Sequence, residues 1–158
     1  MSRLARNVTE AVFTALGGRM TGLHEPTMKG NEERYLRECV SSGMVSSVGP
    51  FVERFEQKLQ EVTGARRAVA VSSGTAALQI ALRLAGVRQG EEVLVPSLTF
   101  VATANAATYL GAFPHFVDIE ETTLGIDPDA LRRWLVDIAE MTQEGLRNKI
   151  TGRTIRAL

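Results

Sequence analysis

Ser72, Ser73, Gly74 and Thr75 are the residues whose types and order most plainly suggest chemistry. They follow a short apolar run at 67–71 (RAVAV) and open a helical pattern at Ala76-Ala77-Leu78. A helix amino terminus leaves backbone N–H groups without intrahelical partners, and the macrodipole adds partial positive charge there. A dianionic phosphate suits those donors. Gly74 lets the backbone come close to such a group, Thr75 and the serines offer hydroxyls, and the two alanines permit tight packing of helix on sheet. The same residues also describe an ordinary Ser/Thr cap after a buried strand. On local pattern both readings stand. The run is neither a Walker loop, since the Gly-Lys-Ser/Thr ending is absent, nor a Gly-x-Gly-x-x-Gly dinucleotide turn.

A second stretch, 96–103 (PSLTFVAT), follows the next apolar run and sets Phe100 near that strand's carboxyl end. An aromatic face beside a phosphate cradle can stack on a flat heteroaromatic ring, a contact worth about 0.5–1.5 kcal/mol. The plainer alternative is a core residue at a helix start.

Both stretches depend on the elements around them. Leu4, Val8, Val12, Phe13 and Leu16 recur at helical spacing until Gly17-Gly18, which predicts a first helix. Residues 21–31 read as an irregular connection, 32–41 as a helix with Tyr35, Leu36, Cys39 and Val40 on its apolar side, and 41–50 as a loop. A third helix over 51–62 closes at Gly64. From there the rhythm changes to strand 67–71, helix 76–84, strand 92–95, helix 100–110 and strand 113–118. Such alternation predicts an α/β fold with a mostly parallel sheet flanked by helices. Ligands in such sheets sit at the carboxyl ends of the strands, where the loops 72–75 and 96–100 fall. Asp127-Pro128-Asp129 marks another helix start, followed by Leu131, Trp134, Leu135 and Ile138 on one face. Residues 145–156 read as a basic loop, and the last residues as the approach to a further strand.

Composition narrows the function classes. Apolar residues make up 44%, charged residues 23%, and 18 basic side chains balance 18 acidic ones, so no electrostatic footprint of a nucleic-acid partner is present. With one cysteine, Cys39, an internal disulfide is impossible. The amino terminus does not read as a signal peptide, and no apolar run is long enough to span a membrane. A cytoplasmic enzyme without membrane partner is expected. His24 and His115 lack partners at metal-ligand spacing, so no metal site is expected.

Taken together, AVAVSSGTAALQIALRLAGV (68–87), GEEVLVPSLTFVATANAATYLGAFPHFVDI (90–119) and TLGIDPDAL (123–131) resemble the DegT/StrS-type family of pyridoxal-phosphate (PLP) dependent nucleotide-sugar aminotransferases. The earlier run LHEPTMKGNEERYLRECVSSGMVSSVGPFVERFE (23–56) is similar to the same family, most of all to its legionaminic-acid or bacillosamine-type branch. The resemblance implies the amino-terminal part of the large PLP-binding domain of a fold-type-I aminotransferase. Residues 1–50 would form amino-terminal helices and an entrance loop, and 51–158 the first, incomplete part of the large domain. It implies that Ser73, Gly74 and Thr75 bind the cofactor phosphate, that Phe100 stacks on the pyridine ring, and that Asn105 lies near the site. The loop 45–50 (VSSVGP) resembles the family's substrate-entrance loop, which makes Ser46 and Ser47 candidate substrate contacts. Implied partners are a nucleotide-linked 4-keto-6-deoxy sugar, glutamate as amino donor, and a second copy of the chain in a homodimer.

One part of that chemistry is not visible in these residues. A transaminase holds PLP on a Schiff-base lysine and keeps a carboxylate beside the pyridine nitrogen. Lys29, Lys58 and Lys149 are the chain's lysines, and none stands in the family's Ser-x-x-x-Lys setting; no aspartate segment of the family's kind follows either. The expectation is a fragment that carries the cofactor's cradle and is inactive alone. The alternatives are a non-catalytic remnant, half of a split enzyme, or a sugar dehydratase of the same fold.

Overall fold

The structure, a computed structural model, describes residues 2–19, 22 and 25–158. His24 lies outside the described residues. The chain forms two compact units, Met1–Ala68 and Val69–Leu158.

The first unit is helical. Helix α1 (Arg3–Ala15) starts where the Ser2 hydroxyl accepts from the Ala5 amide at 3.2 Å. Helix α2 (Glu32–Ser42) carries Arg37–Glu33 and Arg34–Glu38 pairs one turn apart and ends at Gly43, whose φ of 70° supplies the left-handed cap. Helix α3 (Pro50–Thr63) opens on proline and closes at Gly64. Tyr35 of α2 and Phe51 of α3 meet with ring centroids 5.2 Å apart. Cys39 is a half-buried free thiol.

The second unit is a three-layer α/β arrangement. Its strands are β1 (Glu92–Pro96), β2 (Phe113–Val117) and β5 (Ile155–Ala157), in the order β2-β1-β5 with both pairings parallel. On one face lie helices α4 (Gly74–Leu84) and α5 (Val101–Thr108), which pack against each other. Val93 and Val95 point that way into a cluster with Val87, Ala107 and Ala112. On the other face, Leu94, Val117 and Ile155 pack against Leu131, Trp134 and Leu135 of α6 (Pro128–Ile138). Beside α6 stands the antiparallel hairpin of β3 (Ala139–Thr142) and β4 (Gly145–Asn148). β1 is therefore covered on both faces and both edges, which explains its unbroken apolar run, VLV.

Two expectations need correction. Residues 67–71 form no strand. A strand needs a ladder partner, and 67–71 pairs with neither outer strand of the β2-β1-β5 sheet; Val69, 78% exposed, is not in the core either. The stretch 145–156, read as a loop, holds β4 and β5. Its basic residues conceal this because they pair inward: Arg156 donates to Glu91 Oε1 through Nε (3.0 Å) and Nη2 (2.6 Å), and Arg153 stacks over Phe113 at 4.0 Å.

Glu92, the first residue of β1, is 1% exposed. A carboxylate removed from water must be fully hydrogen-bonded. Here Oε1 accepts from Thr151 Oγ1 at 2.5 Å, and Oε2 accepts from Asn148 Nδ2 at 3.0 Å and faces His115 Nδ1 at 3.2 Å. Asn148 Oδ1 in turn accepts from the amides of Ile150 and Thr151. Among the described residues no buried side-chain nitrogen or oxygen lacks a partner.

Glu92→Ala would leave three donors without an acceptor, and a loss of about 3 kcal/mol in unfolding free energy is expected, read by chemical denaturation. The neighbouring Glu91 gives a pH signature. Hydrogen bonds from the Arg156 guanidinium hold its carboxyl below its ordinary value of 4.5, helped by the Arg88 amide. Because the folded value is depressed, this stability is present above the unfolded value near 4.5 and is lost as pH falls through the lower folded value. Arg156→Gln should flatten that part of the stability-versus-pH curve, with the near-neutral plateau lowered.

Candidate functional site

The site follows from how α4 and α5 are fed into the sheet. α4 ends at Leu84 and β1 begins at Glu92; α5 ends at Thr108 and β2 begins at Phe113. With connections this short, each helix runs opposite to the strand after it. Since β1 and β2 are parallel, the two helices run the same way and both start at the carboxyl edge of the sheet. Their far ends meet through a hydrogen bond from the Gly90 amide to the Gly111 carbonyl at 2.9 Å. Gly111 has a φ of 71°, and a Cβ there would come within 2.9 Å of Gln89 Cγ, so that junction needs glycine.

Ser73 is the N-cap of α4, and its hydroxyl accepts from the Ala76 amide at 3.2 Å. Gly74 and Thr75 are the first two helical residues. Their amides are the donors that an α-helix cannot satisfy internally, and the Ser73 hydroxyl is committed one residue further on. No acidic residue sits in the first turn of α4. The contrast with α6 is direct: there Asp127 Oδ1 accepts from the amides of Asp129 and Ala130, both at 2.9 Å, so a carboxylate already occupies that helix start. α4 keeps its amides and its positive dipole end open.

Gly74 adds a second observation. Its φ lies outside the left-handed region, and a Cβ built on it meets nothing within 4 Å. Neither conformation nor packing within the protein calls for glycine here. The space in front of this helix start is open.

Phe100 is the N-cap residue of α5, with φ −64° and ψ 142°, and is 72% exposed. It is not part of the core. The Ser97 amide donates to the Val117 carbonyl at 3.0 Å, extending the β1–β2 ladder into the loop, and the Thr103 amide donates to the Phe100 carbonyl at 3.0 Å. Thr99 and Thr103 hydroxyls lie 2.9 Å apart, a contact sequence reading missed although the four-residue spacing across a helix start carries the signal. Asn105 is half-buried in α5, and its carbonyl accepts from the Tyr109 amide and the Thr108 hydroxyl. Gly74, Thr75, Phe100 and Asn105 thus all belong to the paired helices α4 and α5 of one unit.

Ser46 and Ser47 belong to the other unit. Ser46 lines an apolar depression of about 310 Å³ with Leu36, Val40, Met44 and Pro50; Ser47 does not. Lys58 pairs with Glu61 at 2.8 Å on α3. His115 is engaged by Glu92 and by the Trp134 ring, at a centroid distance of 4.6 Å. Among the described residues no cluster of metal-ligating side chains occurs, and no helix is long and apolar enough to cross a membrane.

Comparison with known proteins gives a consistent picture. The model of the DegT/DnrJ/EryC1/StrS aminotransferase family matches residues 26–143. A GDP-perosamine synthase of Vibrio cholerae is 40% identical over 114 residues, covering 72% of this chain and 31% of that protein. Among solved structures, an aminotransferase from Psychrobacter cryohalolentis superimposes with a TM-score of 0.62 at 29% identity, over 68% of this chain and 28% of its own. A GDP-4-keto-6-deoxy-D-mannose-3-dehydratase of E. coli, solved with bound hydrated PLP, gives 0.61 at 26% identity, over 72% and 31%. The chain spans about three tenths of the length of the curated relatives it matches.

Gly74→Ala is expected to change the unfolding free energy by less than about 0.5 kcal/mol, because its Cβ enters open space. Urea denaturation checks this; a large loss would mean that the fold itself requires the glycine.

Proposed function

Since the chain belongs to the DegT/DnrJ/EryC1/StrS aminotransferase family, we propose that its second unit holds the phosphate of pyridoxal phosphate on the Gly74 and Thr75 amides, with Phe100 against the pyridine ring. The observation that carries the reading is the open start of α4: two unsatisfied amides, no acid in the first turn, and a glycine that nothing inside the protein requires. The residues fit the group. The Ser73 hydroxyl accepts from Ala76 and retains its own proton to donate to a phosphate oxygen. The Thr75 hydroxyl extends the donor set. Phe100, largely exposed and at the parallel helix start, offers a face to the pyridine ring. Asn105 is assigned to the ring's vicinity.

Pyridoxal phosphate, when bound, supplies an electron sink for carbanion chemistry at the carbon that gains or loses the amine. This chain contributes binding and orientation. None of Lys29, Lys58 and Lys149 stands in the family's Ser-x-x-x-Lys setting, so none is assigned the proton-moving role. The 158 residues alone are therefore assigned no turnover. For the whole protein we assign transamination of a nucleotide-linked 4-keto-6-deoxy sugar in surface-glycan synthesis, in the cytoplasm, with glutamate as donor and a homodimer as the working form. Ser46 is retained as a candidate substrate contact because it borders an apolar depression; Ser47 is the weaker of the two. The dehydratase neighbour supports a second reading, sugar dehydration on the same cofactor-binding frame.

Pyridoxine 5′-phosphate is a suitable probe, because its alcohol cannot condense with surface amines. The chain should bind it saturably, measured by fluorescence titration, and should not bind pyridoxine, which lacks the phosphate. Gly74→Val should weaken binding about tenfold or more while the protein stays folded, since side-chain bulk would displace the phosphate from the amides. Equal binding of pyridoxine and its phosphate would overturn the assignment.

A further inference from the structure

We propose that Thr103 is a positioning residue for Phe100, acting through the hydroxyl of Thr99; this rests on the reading that Phe100 covers the pyridine ring. A helix N-cap is usually a residue whose side chain accepts from an amide of the first turn, as Ser2, Ser73 and Asp127 do here. Phenylalanine cannot accept, and α5 has no side-chain cap bond. Its place is taken by a bond that straddles the cap: Thr99, one residue before it, and Thr103, three residues after it, bring their hydroxyls to 2.9 Å. Either hydroxyl can donate. Together with the Thr103 amide bond to the Phe100 carbonyl, this closes two small rings around one residue.

The other end of the loop is fixed by the Ser97 amide on the Val117 carbonyl. Phe100 thus sits on a segment anchored to β2 on one side and to the first turn of α5 on the other. Its φ and ψ, and with them the direction of its Cα–Cβ bond, are set by those anchors. Thr103 is half-buried and Thr99 exposed. Valine at 103 keeps the shape and loses only the hydroxyl, so the packing of α5 survives while the backbone at Phe100 loses one of its anchors. Neither threonine touches the cofactor in this account; the effect passes through Phe100.

The test compares wild type, Thr103→Val, Thr103→Ser, Thr99→Val, the double valine variant and Phe100→Ala with pyridoxine 5′-phosphate. The readouts are its dissociation constant and the circular dichroism induced in its pyridine band. Thr103→Val and Thr99→Val should each weaken binding about three- to tenfold, the size of one neutral hydrogen bond, and reduce the induced signal. The double variant should be no worse than either single one, as for two halves of one contact. Thr103→Ser should behave as wild type, and the urea midpoint of each variant should fall by no more than the loss of one exposed hydrogen bond, leaving the protein folded under the titration conditions. If Thr103→Val matches wild type while Phe100→Ala loses affinity and signal, the positioning role is refuted and the stacking reading stands. If Thr103→Val lowers affinity only in step with a fallen urea midpoint, its role is structural and the proposal fails. If wild type does not bind, or Phe100→Ala binds unchanged, the underlying reading fails and takes this inference with it.

Discussion

The parallel pairing of β1 with β2 is the constraint from which the candidate site follows. Parallel neighbours cannot be joined by a tight turn, so the chain must return across a face of the sheet before the second strand begins. Here the return is α5, and the same geometry governs α4 before β1. Two helix starts are thereby delivered side by side to one edge of the sheet. One start ends in bare amides and a glycine; the other ends in an exposed aromatic ring. The proposed site for a phosphorylated flat ring draws on both features, and the topology brings both helix starts to the same edge of the sheet.

The frame beneath the site is held by polar contacts as much as by apolar ones. The cluster of Val93, Val95, Val87, Ala107 and Ala112 seats α4 and α5, while α6 covers the opposite face. At the edge away from the site, Glu91 and Glu92 engage different late residues, Arg156 for the first and Asn148 and Thr151 for the second. The division is physical: one end of β1 is satisfied by the protein's own donors, whereas the helix starts near the other end keep donors in reserve.

Much of this was legible in the residues. The helix start at Pro128 follows from the aspartate ahead of a proline; α4, read as starting at Ala76, begins two residues earlier at Gly74, and the six helices among the described residues fall within a few residues of their expected bounds. The strands Glu92–Pro96 and Phe113–Val117 were legible as short apolar runs between turn residues. The run at 67–71 has the same local signature yet forms no strand, because a ladder requires a neighbour and local pattern carries no information about one. The opposite error, at 145–156, has the opposite cause. Arginines and an asparagine read as solvated, but their hydrogen-bond partners are 56 to 65 residues earlier in the chain. At the site, residue types pointed to Gly74, Thr75 and Phe100, while the Thr99–Thr103 contact emerged only once the turn of the chain was known.

The reach of the Glu91 and Glu92 contacts has a bearing on the order of events during synthesis. β1 precedes Thr151 and Arg156 by some sixty residues, and His115, 23 residues on, is the nearest in sequence of the groups that meet the Glu92 carboxylate. Closing that long loop carries an entropic cost that must be met before the late contacts can repay it. Burial of the first residue of the central strand is therefore coupled to donors that follow it by more than fifty positions.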